Sequence, residues 1–410
     1  MHILHVTAHL GGGVGKAHAA LTATMPFPAR QSFLLLEAPR DRRYADEIAA
    51  LGRPVDIAVS LEDVATRAAE ADIVQIEFWN HPKLFECLAR TDFPVMRAVF
   101  WSHISGLFRP VIQPGFPQEA DRFAFTSPAS LDIVSVQALP RERREKLAVI
   151  GSAFGFEEAP PSVLPGSAER GISGHDAPIC YLGTVDFVKM HPGFFDVIDA
   201  LSGNETAAIW GDFEPNGEVV AKASAMRHPD RIRLMGQTPD PRAALSQSRI
   251  FFYPLQPDHY GTAENALVEA MSLGLVPVVL ANPAKCAIVQ QGQSGFIASS
   301  IAECAEILEM LLADPDRVAE VGAKARAVAA TAFTAHRSAR QFVDLWSGLM
   351  KEPKRSHDFR SITGATPREW FEATQFLPGE MRDAVADSGK LSKGTLSHFR
   401  SAFPDDPSWG

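Results

Sequence analysis

Short runs of apolar residues alternate with longer amphipathic segments along most of this chain. The first run, residues 3–7, predicts a strand, and a glycine-rich turn follows it before a helix that begins near Val14. Further strands are predicted at 33–37, 72–76, 95–100 and 123–126, and helices at 44–51 and 61–69. This alternation predicts a parallel β-sheet covered by helices.

The same alternation starts again after residues 155–177, which are rich in Pro, Gly and Ser and typical of a linker between domains. Strands are then predicted at 179–183, 207–210, 232–235, 250–253, 276–280 and 296–298, and helices at 302–312 and 317–330. We therefore predict an α/β protein with two Rossmann-like domains that face a central cleft, at 1–160 and 178–345, joined by a linker at 161–177. Residues 346–410 form a C-terminal extension, whose scattered aromatic residues predict that it packs back on the domains.

Composition and charge narrow the classes of function. The chain has 410 residues and a formal net charge of −10. This charge excludes a non-specific nucleic-acid binder, which needs a basic surface, and the mixed charges of residues 141–146 indicate a solvated helix face. The four cysteines lie far apart without a C-x-x-C pair, which argues against a zinc site and a disulfide framework. Because neither a signal-peptide pattern nor an apolar run of about 18 residues occurs, we expect a cytoplasmic protein.

A glycine-rich turn follows the first predicted strand and opens a helix. Backbone amides at Gly12 and Gly13 can approach a phosphate, because glycine has no Cβ and the positive end of a helix dipole favours anions. Leu10 and Ala17 stand where a phosphate-binding P-loop needs Gly and Ser or Thr, and the third glycine of a dinucleotide-binding fingerprint is missing too. Glu37, at the end of the second strand, is placed like a ribose-binding acid. An NAD-dependent dehydrogenase therefore stays as a minor alternative, as does a tight turn without a ligand.

A second informative block, residues 253–279, is predicted to form a strand, a loop, a helix at 262–273, a glycine turn and another strand. The N-terminus of this helix can bind a diphosphate through the backbone amides of Asn265 and Ala266. Glu269 lies about one and a half turns further along, where it can accept both hydroxyls of a ribose. An acid in such an apolar stretch needs a partner, which weakens the alternative that Glu269 is a surface residue.

The segment from Asn265 to residue 279 resembles the nucleotide-binding segment of the family-four retaining glycosyltransferases (glycosyl transferases group 1), which have the GT-B fold. Residues 181–189 resemble the strand and loop that carry the family's phosphate-binding Arg and Lys, and Lys189 matches the Lys. Residues 232–236 and 292–297 resemble later landmarks of the family in the same order. The resemblance spans residues 1–345 and is more specific in its second half. It implies an acceptor-side first domain and a nucleotide-sugar-binding second domain.

Two departures from the family pattern concern the donor site. Thr184 stands where the family has an Arg, so one of the two cations expected on the diphosphate is missing. Gly261 lies eight residues before Glu269, where the family has a Glu that contacts the sugar. Either Glu264 takes over this contact, or Asp258 does so with one helical turn inserted. As a further alternative, Glu264 only stabilises the positive end of the helix dipole.

In the first domain, His103 follows a predicted strand at the position where the family keeps a His beside the donor sugar. Residues 77–81, at another strand end, are a weaker candidate for the acceptor cleft. The resemblance thus implies catalytic roles for His103, Lys189 and Glu264. It also implies a donor-binding set of Gly12, Gly13, Thr184, Lys189, Gly261, Thr262, Asn265, Ala266 and Glu269.

The expected reaction is transfer of a hexosyl-type sugar from a nucleotide-diphosphate-sugar donor to a hydroxyl of a glycan or lipid-linked acceptor, with retention of the anomeric configuration. The donor is a substrate, and neither a cofactor nor a metal is expected. Residues 314–316 predict a turn and a helix N-cap instead of a metal motif, and no His/Cys cluster stands out along the sequence. The competing hypotheses are a catalytically degenerate GT-B protein that binds a nucleotide sugar or a partner without turnover, and a GT-B nucleotide-sugar epimerase. Peripheral contact with the inner face of a membrane is left open.

Overall fold

The computed structural model describes residues 1–25, 29–156, 177–383 and 394–410, together with residues 385, 387, 389 and 391. All but the last residue of the predicted linker at 161–177 therefore lie outside the described residues. The described chain forms two compact units. Unit 1 contains the described residues of 1–152, 260–263 and 335–410, and unit 2 those of 153–259 and 264–334. Each unit is built on one parallel β-sheet, which confirms the predicted α/β class.

The sheet of unit 1 has seven strands in the order β3-β2-β1-β4-β5-β6-β7. In chain order they are β1 (His2–Thr7), β2 (Arg30–Leu35), β3 (Val55–Ile57), β4 (Ile73–Phe78), β5 (Ala98–Ser102), β6 (Arg122–Phe125) and β7 (Leu147–Val149). All neighbours pair in parallel. The central strands β4 and β5 are buried along their whole length, which explains their continuous apolar runs. The edge strands β3 and β7 were not predicted, because they are three residues long and only partly covered.

Eleven α-helices of the described chain belong to unit 1. They are α1 (Gly12–Thr24), α2 (Arg43–Ala50), α3 (Leu61–Glu70), α4 (Pro82–Arg90), α5 (Gly115–Glu119), α6 (Val134–Gln137), α7 (Arg141–Arg144), α15 (Ala335–Leu349), α16 (Arg360–Thr363), α17 (Pro367–Gln375) and α18 (Leu396–Ala402). Position 15, in the first turn of α1, requires a glycine, since a Cβ there would clash with the carbonyl oxygen of Leu10 in the preceding turn.

The sheet of unit 2 has six parallel strands in the order β10-β9-β8-β11-β12-β13. They are β8 (Ile179–Leu182), β9 (Ala207–Trp210), β10 (Ile232–Gly236), β11 (Ile250–Tyr253), β12 (Val276–Leu280) and β13 (Phe296–Ala298). The helices are α8 (Gly193–Ala200), α9 (Glu218–Ser224), α10 (Pro241–Leu245), α11 (Asn265–Ser272), α12 (Pro283–Cys286), α13 (Ile301–Ala313) and α14 (Pro315–Ala332). The side chain of Asp314 caps α14 by accepting a hydrogen bond from the Arg317 N–H at 2.9 Å, as the sequence predicted.

Helix α15 belongs to unit 1, although the sequence prediction ended the second domain at residue 345, within this helix. Its apolar face includes Phe342 and Trp346, which are buried. The Trp346 indole N–H donates a hydrogen bond of 2.9 Å to the side-chain oxygen of Gln75 on β4, and the Phe342 ring lies 4.9 Å from that of Trp101 on β5. These contacts with the first sheet explain why unit 2 ends at Thr334.

The described part of the C-terminal extension packs within unit 1. Met96 and Arg355 form an antiparallel bridge through two main-chain hydrogen bonds of 2.9 and 3.1 Å. The Arg355 guanidinium also contacts the Asp121 carboxylate at 2.6 Å, and the aromatic side chains of Trp370 and Phe399 are buried in the same apolar core as β4 and β5. Within the described residues, no helix combines the length and the apolar character needed to cross a membrane.

Candidate functional site

In the sheet of unit 2, β8 and β11 lie side by side. The chain adds β9 and β10 on the outer side of β8, and then β12 and β13 on the outer side of β11. Ligands of open parallel sheets bind at the carboxyl ends of strands at such a switch point. The carboxyl end of β8 leads to Thr184 and Lys189, and that of β11 leads through a loop to Glu264 and α11. The predicted donor residues of unit 2 are therefore brought to one edge of one sheet.

Helix α11 begins at Asn265, three residues later than predicted. The reason is Glu264, whose φ of 49° places it in the left-handed region, so that it precedes the helix instead of continuing it. The first helical amides are those of Asn265 and Ala266. Within the described residues no hydrogen bond to these two N–H groups is found, and no side chain caps the helix. Their predicted role in binding a diphosphate stays a prediction, and Thr262 is not part of the helix.

Glu264 is buried and has cationic and hydrogen-bonding neighbours. Its carboxylate accepts a hydrogen bond of 3.0 Å from the Tyr253 hydroxyl and lies 3.4 Å from Lys285 Nζ and 3.9 Å from Lys189 Nζ. His259 Nδ1 lies 3.7 Å away. Burial alone would raise the pKa of Glu264, but Lys285, Lys189 and His259 lower it to about 2. Glu264 is therefore an ionised buried carboxylate between two lysines.

Lys285 is the residue of this group that the sequence analysis missed. It lies on α12, directly after β12, and its side chain is only 1% exposed. Burial lowers its pKa, and the nearby Glu264 carboxylate opposes this shift. One feature of the sequence could have pointed to Lys285: it follows the predicted strand β12, which lies beside β11 in the sheet. Only the strand order places that position near Glu264, because 21 residues separate the two.

Three other residues predicted at the donor site, Glu269, Asp258 and Thr184, differ in burial and in contacts. Glu269 is 2% exposed on α11, and Asp258 is exposed in the preceding loop. The Thr184 carbonyl accepts a hydrogen bond of 2.8 Å from the Tyr181 hydroxyl. Of the two acids considered for sugar contact, Glu264 is thus the one placed beside Lys189.

Four predicted residues besides His103 belong to unit 1. Gly12 and Gly13 are exposed at the start of α1, where Gly12 has a φ of 61°. Gly261 and Thr262 lie in the segment 260–263, and the Thr262 hydroxyl accepts a hydrogen bond of 3.1 Å from the hydroxyl of Thr126.

His103 follows β5 in unit 1 and is held by Glu77, at the end of β4. The Glu77 carboxylate is fully buried and receives four nitrogen atoms. Its Oε2 lies 3.0 Å from His103 Nε2 and 3.1 Å from His18 Nε2, and its Oε1 lies 3.0 Å from both His5 Nδ1 and Gln75 Nε2. Both oxygens of the acid are therefore fully used within unit 1.

The electrostatics of this cluster favour an ionised Glu77 and neutral imidazoles at His5 and His103. Burial alone would raise the pKa of Glu77, but His18, His103 and His5 hold it well below its ordinary value. Burial lowers the pKa of His5 to about 4 and also lowers that of His103, in both cases against the effect of Glu77. A neutral His103 that donates from Nε2 to Glu77 keeps a lone pair on Nδ1, which can accept a hydrogen bond from a hydroxyl.

Two groups of metal-ligating side chains occur in the described chain, although the sequence showed no such cluster. One consists of His5, His18 and Glu77, and the other of His9, Glu37 and His81. In the second group, the Nδ1 atoms of His9 and His81 accept main-chain N–H groups at 3.0 and 3.2 Å. Both rings therefore carry their proton on Nε2, the atom that would have to ligate a metal near Glu37. This arrangement fits hydrogen bonding to Glu37 better than metal binding.

Comparison with known proteins gives two kinds of match. Residues 177–314 match the family model described as glycosyl transferases group 1. The matched region contains Thr184, Lys189, Glu264 and Glu269, whereas the predicted donor residues Gly12 and Gly13 lie outside it. No curated protein sequence gives a significant match to the chain.

The second kind of match is structural. HepE of Anabaena, solved in complex with UDP and glucose, has a TM-score of 0.68 at 17% identity, over 85% of this chain and 100% of HepE. A glycosyltransferase of Rickettsia africae has a TM-score of 0.66 at 12% identity, over 86% of this chain and 99% of its own. Sucrose-phosphate synthase of Thermosynechococcus elongatus has a TM-score of 0.60 at 14% identity, over 86% and 100% of the two chains. The fold is that of the GT-B glycosyltransferases. The predicted fold class is thereby confirmed.

Proposed function

We propose that this protein transfers a sugar from a nucleoside-diphosphate-sugar donor to a hydroxyl group, with retention of the anomeric configuration. The observation that carries the proposal is the site at the switch point of unit 2. Lys189 and two unbonded amides at the start of α11 meet there, in the region that matches the glycosyl transferases group 1 model. Uridine diphosphate is the first donor nucleotide to test, because HepE was solved with UDP.

The chemistry of this proposal centres on the leaving diphosphate. As the bond from the anomeric carbon to the phosphate oxygen breaks, negative charge builds up on that oxygen. The ammonium group of Lys189 supplies one positive charge, and the N-terminus of α11 supplies about half of one together with hydrogen-bond donors. These groups stabilise the transition state more than the ground state, which is the requirement for catalysis.

The remaining roles in the proposal follow the family resemblance. Glu269 accepts the ribose hydroxyls, and His103 accepts a hydrogen bond from a sugar hydroxyl at Nδ1 while Glu77 holds its Nε2. The departing phosphate oxygen accepts the proton of the attacking hydroxyl on the same face of the sugar. No bound metal takes part, because protein groups carry the charge of the diphosphate. The acceptor is a hydroxyl of a glycan or of a lipid-linked acceptor.

The test is incubation of the purified chain with UDP- and GDP-sugars and a panel of saccharide acceptors. Release of nucleoside diphosphate is measured, and the product is examined by NMR for the configuration at the new glycosidic bond. Formation of a glycoside with the configuration of the donor supports the proposal. Inversion overturns retention, and an epimerised nucleotide sugar shows an epimerase instead. Tight donor binding without any turnover shows the degenerate binding protein.

A further inference from the structure

We propose that Lys285 is the second cation of the donor diphosphate site and takes the role of the Arg that the family pattern places at position 184. The inference rests on the proposed function, and it concerns a residue outside the strand and loop in which the family carries its two cations. Three observations of unit 2 support it: the position of Lys285, the surroundings of its ammonium group and the charge balance of its neighbours.

The position of Lys285 is firmly held. The Asn282 side chain caps α12 by accepting the Ala284 N–H at 3.1 Å, and its amide nitrogen donates to the Pro257 carbonyl at 2.8 Å. This second hydrogen bond ties the start of α12 to the loop between β11 and α11. Strands β11 and β12 are paired in the sheet, so both loops leave the same edge. Lys285 thus reaches the site from a third strand end, next to those of Lys189 and Glu264.

The ammonium group of Lys285 is buried without a hydrogen bond. Its side chain is 1% exposed, and within the described residues no acceptor lies in hydrogen-bond geometry around Nζ. The nearest carboxylate oxygen, Glu264 Oε1, is 3.4 Å away, and this atom also lacks a hydrogen-bond donor. Buried ammonium groups normally have their N–H donors satisfied, because an unmade hydrogen bond is costly. Phosphate oxygens would supply the acceptors that Nζ lacks.

The combined charge of Lys285, Lys189 and Glu264 also fits a diphosphate. Lys285 and Lys189 share a single carboxylate, that of Glu264, whose two oxygens face the two ammonium groups at 3.4 and 3.9 Å. One positive charge among these three groups therefore stays uncompensated. At position 184 the short, uncharged Thr contributes no cation. A lysine that reaches the same edge from β12 restores the count of two.

The experiment is calorimetric titration of the full chain with UDP and GDP, and with uridine as a probe that lacks phosphates. We compare the wild type with Lys285→Met, which keeps the unbranched apolar stem, is one atom shorter and removes the charge. The matched control is Lys222→Met, in a lysine of unit 2 that pairs with Asp196 at 35% side-chain exposure. The decisive variant is the double substitution Lys285→Met with Thr184→Arg, which returns the Arg of the family pattern.

We expect Lys285→Met to weaken binding of the nucleoside diphosphate at least tenfold, Lys222→Met to leave it unchanged, and uridine binding to be equal in all variants. The double substitution should recover at least half of the lost binding free energy. Lys285→Gln serves as a second uncharged variant if Lys285→Met does not fold, which circular dichroism reports. Binding by both Lys285 variants within threefold of the wild type overturns the inference while leaving the proposed function intact. If the wild type binds neither UDP nor GDP, the proposed function fails first.

Discussion

His103 Nε2 lies 3.0 Å from Glu77 Oε2, and 26 residues separate them along the chain. The contact joins the ends of two paired strands, β4 and β5, and orients the imidazole that the family resemblance places beside the donor sugar. Glu77 is therefore a positioning residue in our proposal: it does not touch the substrate but sets which ring nitrogen of His103 carries the proton.

The substitution Glu77→Gln tests this relationship. Gln has one acceptor oxygen for the three side chains that hydrogen-bond Glu77, those of His5, Gln75 and His103, so at least one imidazole N–H would face an amide NH2 group. We expect a loss of about 1–3 kcal/mol in the free energy of unfolding for each unsatisfied donor, and a fall in kcat of at least tenfold. The affinity for nucleoside diphosphate, a property of unit 2, should be unchanged. A folded Glu77→Gln protein with wild-type kcat would contradict the positioning role.

The pH dependence of stability should reveal the buried histidines. Burial lowers the pKa of His5 to about 4, against an ordinary value of 6.5, so the unfolded chain takes up a proton at this site before the folded one does. Stability is then fully present above pH 6.5 and falls as the pH decreases towards 4, by about 3 kcal/mol for a shift of this size. Glu77, with its low pKa, loses stability in the same direction at lower pH.

Urea unfolding at pH 7, 6 and 5 measures this slope. In His5→Asn the amide nitrogen takes the place of Nδ1 and can still donate to Glu77, but it does not titrate, so we expect a shallower pH dependence. His336→Asn, at an exposed position of α15, is the matched control and should retain the wild-type slope. Identical slopes in all three proteins would show that the pKa of His5 is the same in the folded and the unfolded chain.

Lys189→Ala should remove most activity with little effect on folding. Its side chain is 22% exposed, so truncation leaves no large cavity, while a charge-assisted contact with the leaving diphosphate contributes about 2–4 kcal/mol to transition-state stabilisation. Steady-state kinetics with the donor identified by screening gives kcat/KM. A decrease of less than about threefold would remove Lys189 from the diphosphate site.

Glu269→Gln should weaken nucleoside diphosphate binding whichever sugar is attached, because the proposed contact is with the ribose. The neutral amide keeps the size of the side chain but is a weaker acceptor, and we expect a loss of about 1–3 kcal/mol. Calorimetry with UDP, GDP and the corresponding 2′-deoxy nucleotides measures it. The 2′-deoxy compounds should lose less affinity through the substitution than the ribonucleotides do. Unchanged UDP and GDP affinities would refute the ribose assignment.

Chelation by EDTA should leave activity largely intact, with at most a several-fold stimulation by added Mg²⁺. The reason is that Lys189, the amides of α11 and, by our inference, Lys285 carry the charge of the leaving diphosphate. Activity is measured before and after chelation, and again after addition of Mg²⁺, Mn²⁺ or Zn²⁺. Complete loss that Mn²⁺ alone restores would show a metal site that involves Glu264 or Asp258.

The sequence alone was sufficient for the sheet strands that are covered on both faces. The strands at 207–210, 250–253, 276–280 and 296–298 lie where their apolar runs predicted them, because a buried parallel strand must be apolar along its length. The candidate nucleotide site at Asn265 to Glu269 could be predicted because its pattern is local in the sequence. A helix start follows a strand, and an acid follows within an apolar run.

Only the tertiary structure decided which distant residues meet. Glu77 on β4 lies against His5 on the neighbouring strand β1, 72 residues away. Glu264 lies against Lys285 because the segments that follow the paired strands β11 and β12 leave the same edge of the sheet. Strand order depends on how the helices pack across the sheets, which no periodicity along the chain records. The start of α11 was likewise set by the left-handed backbone of Glu264, whose buried contacts with Tyr253 and two lysines hold a conformation that a non-glycine residue rarely adopts.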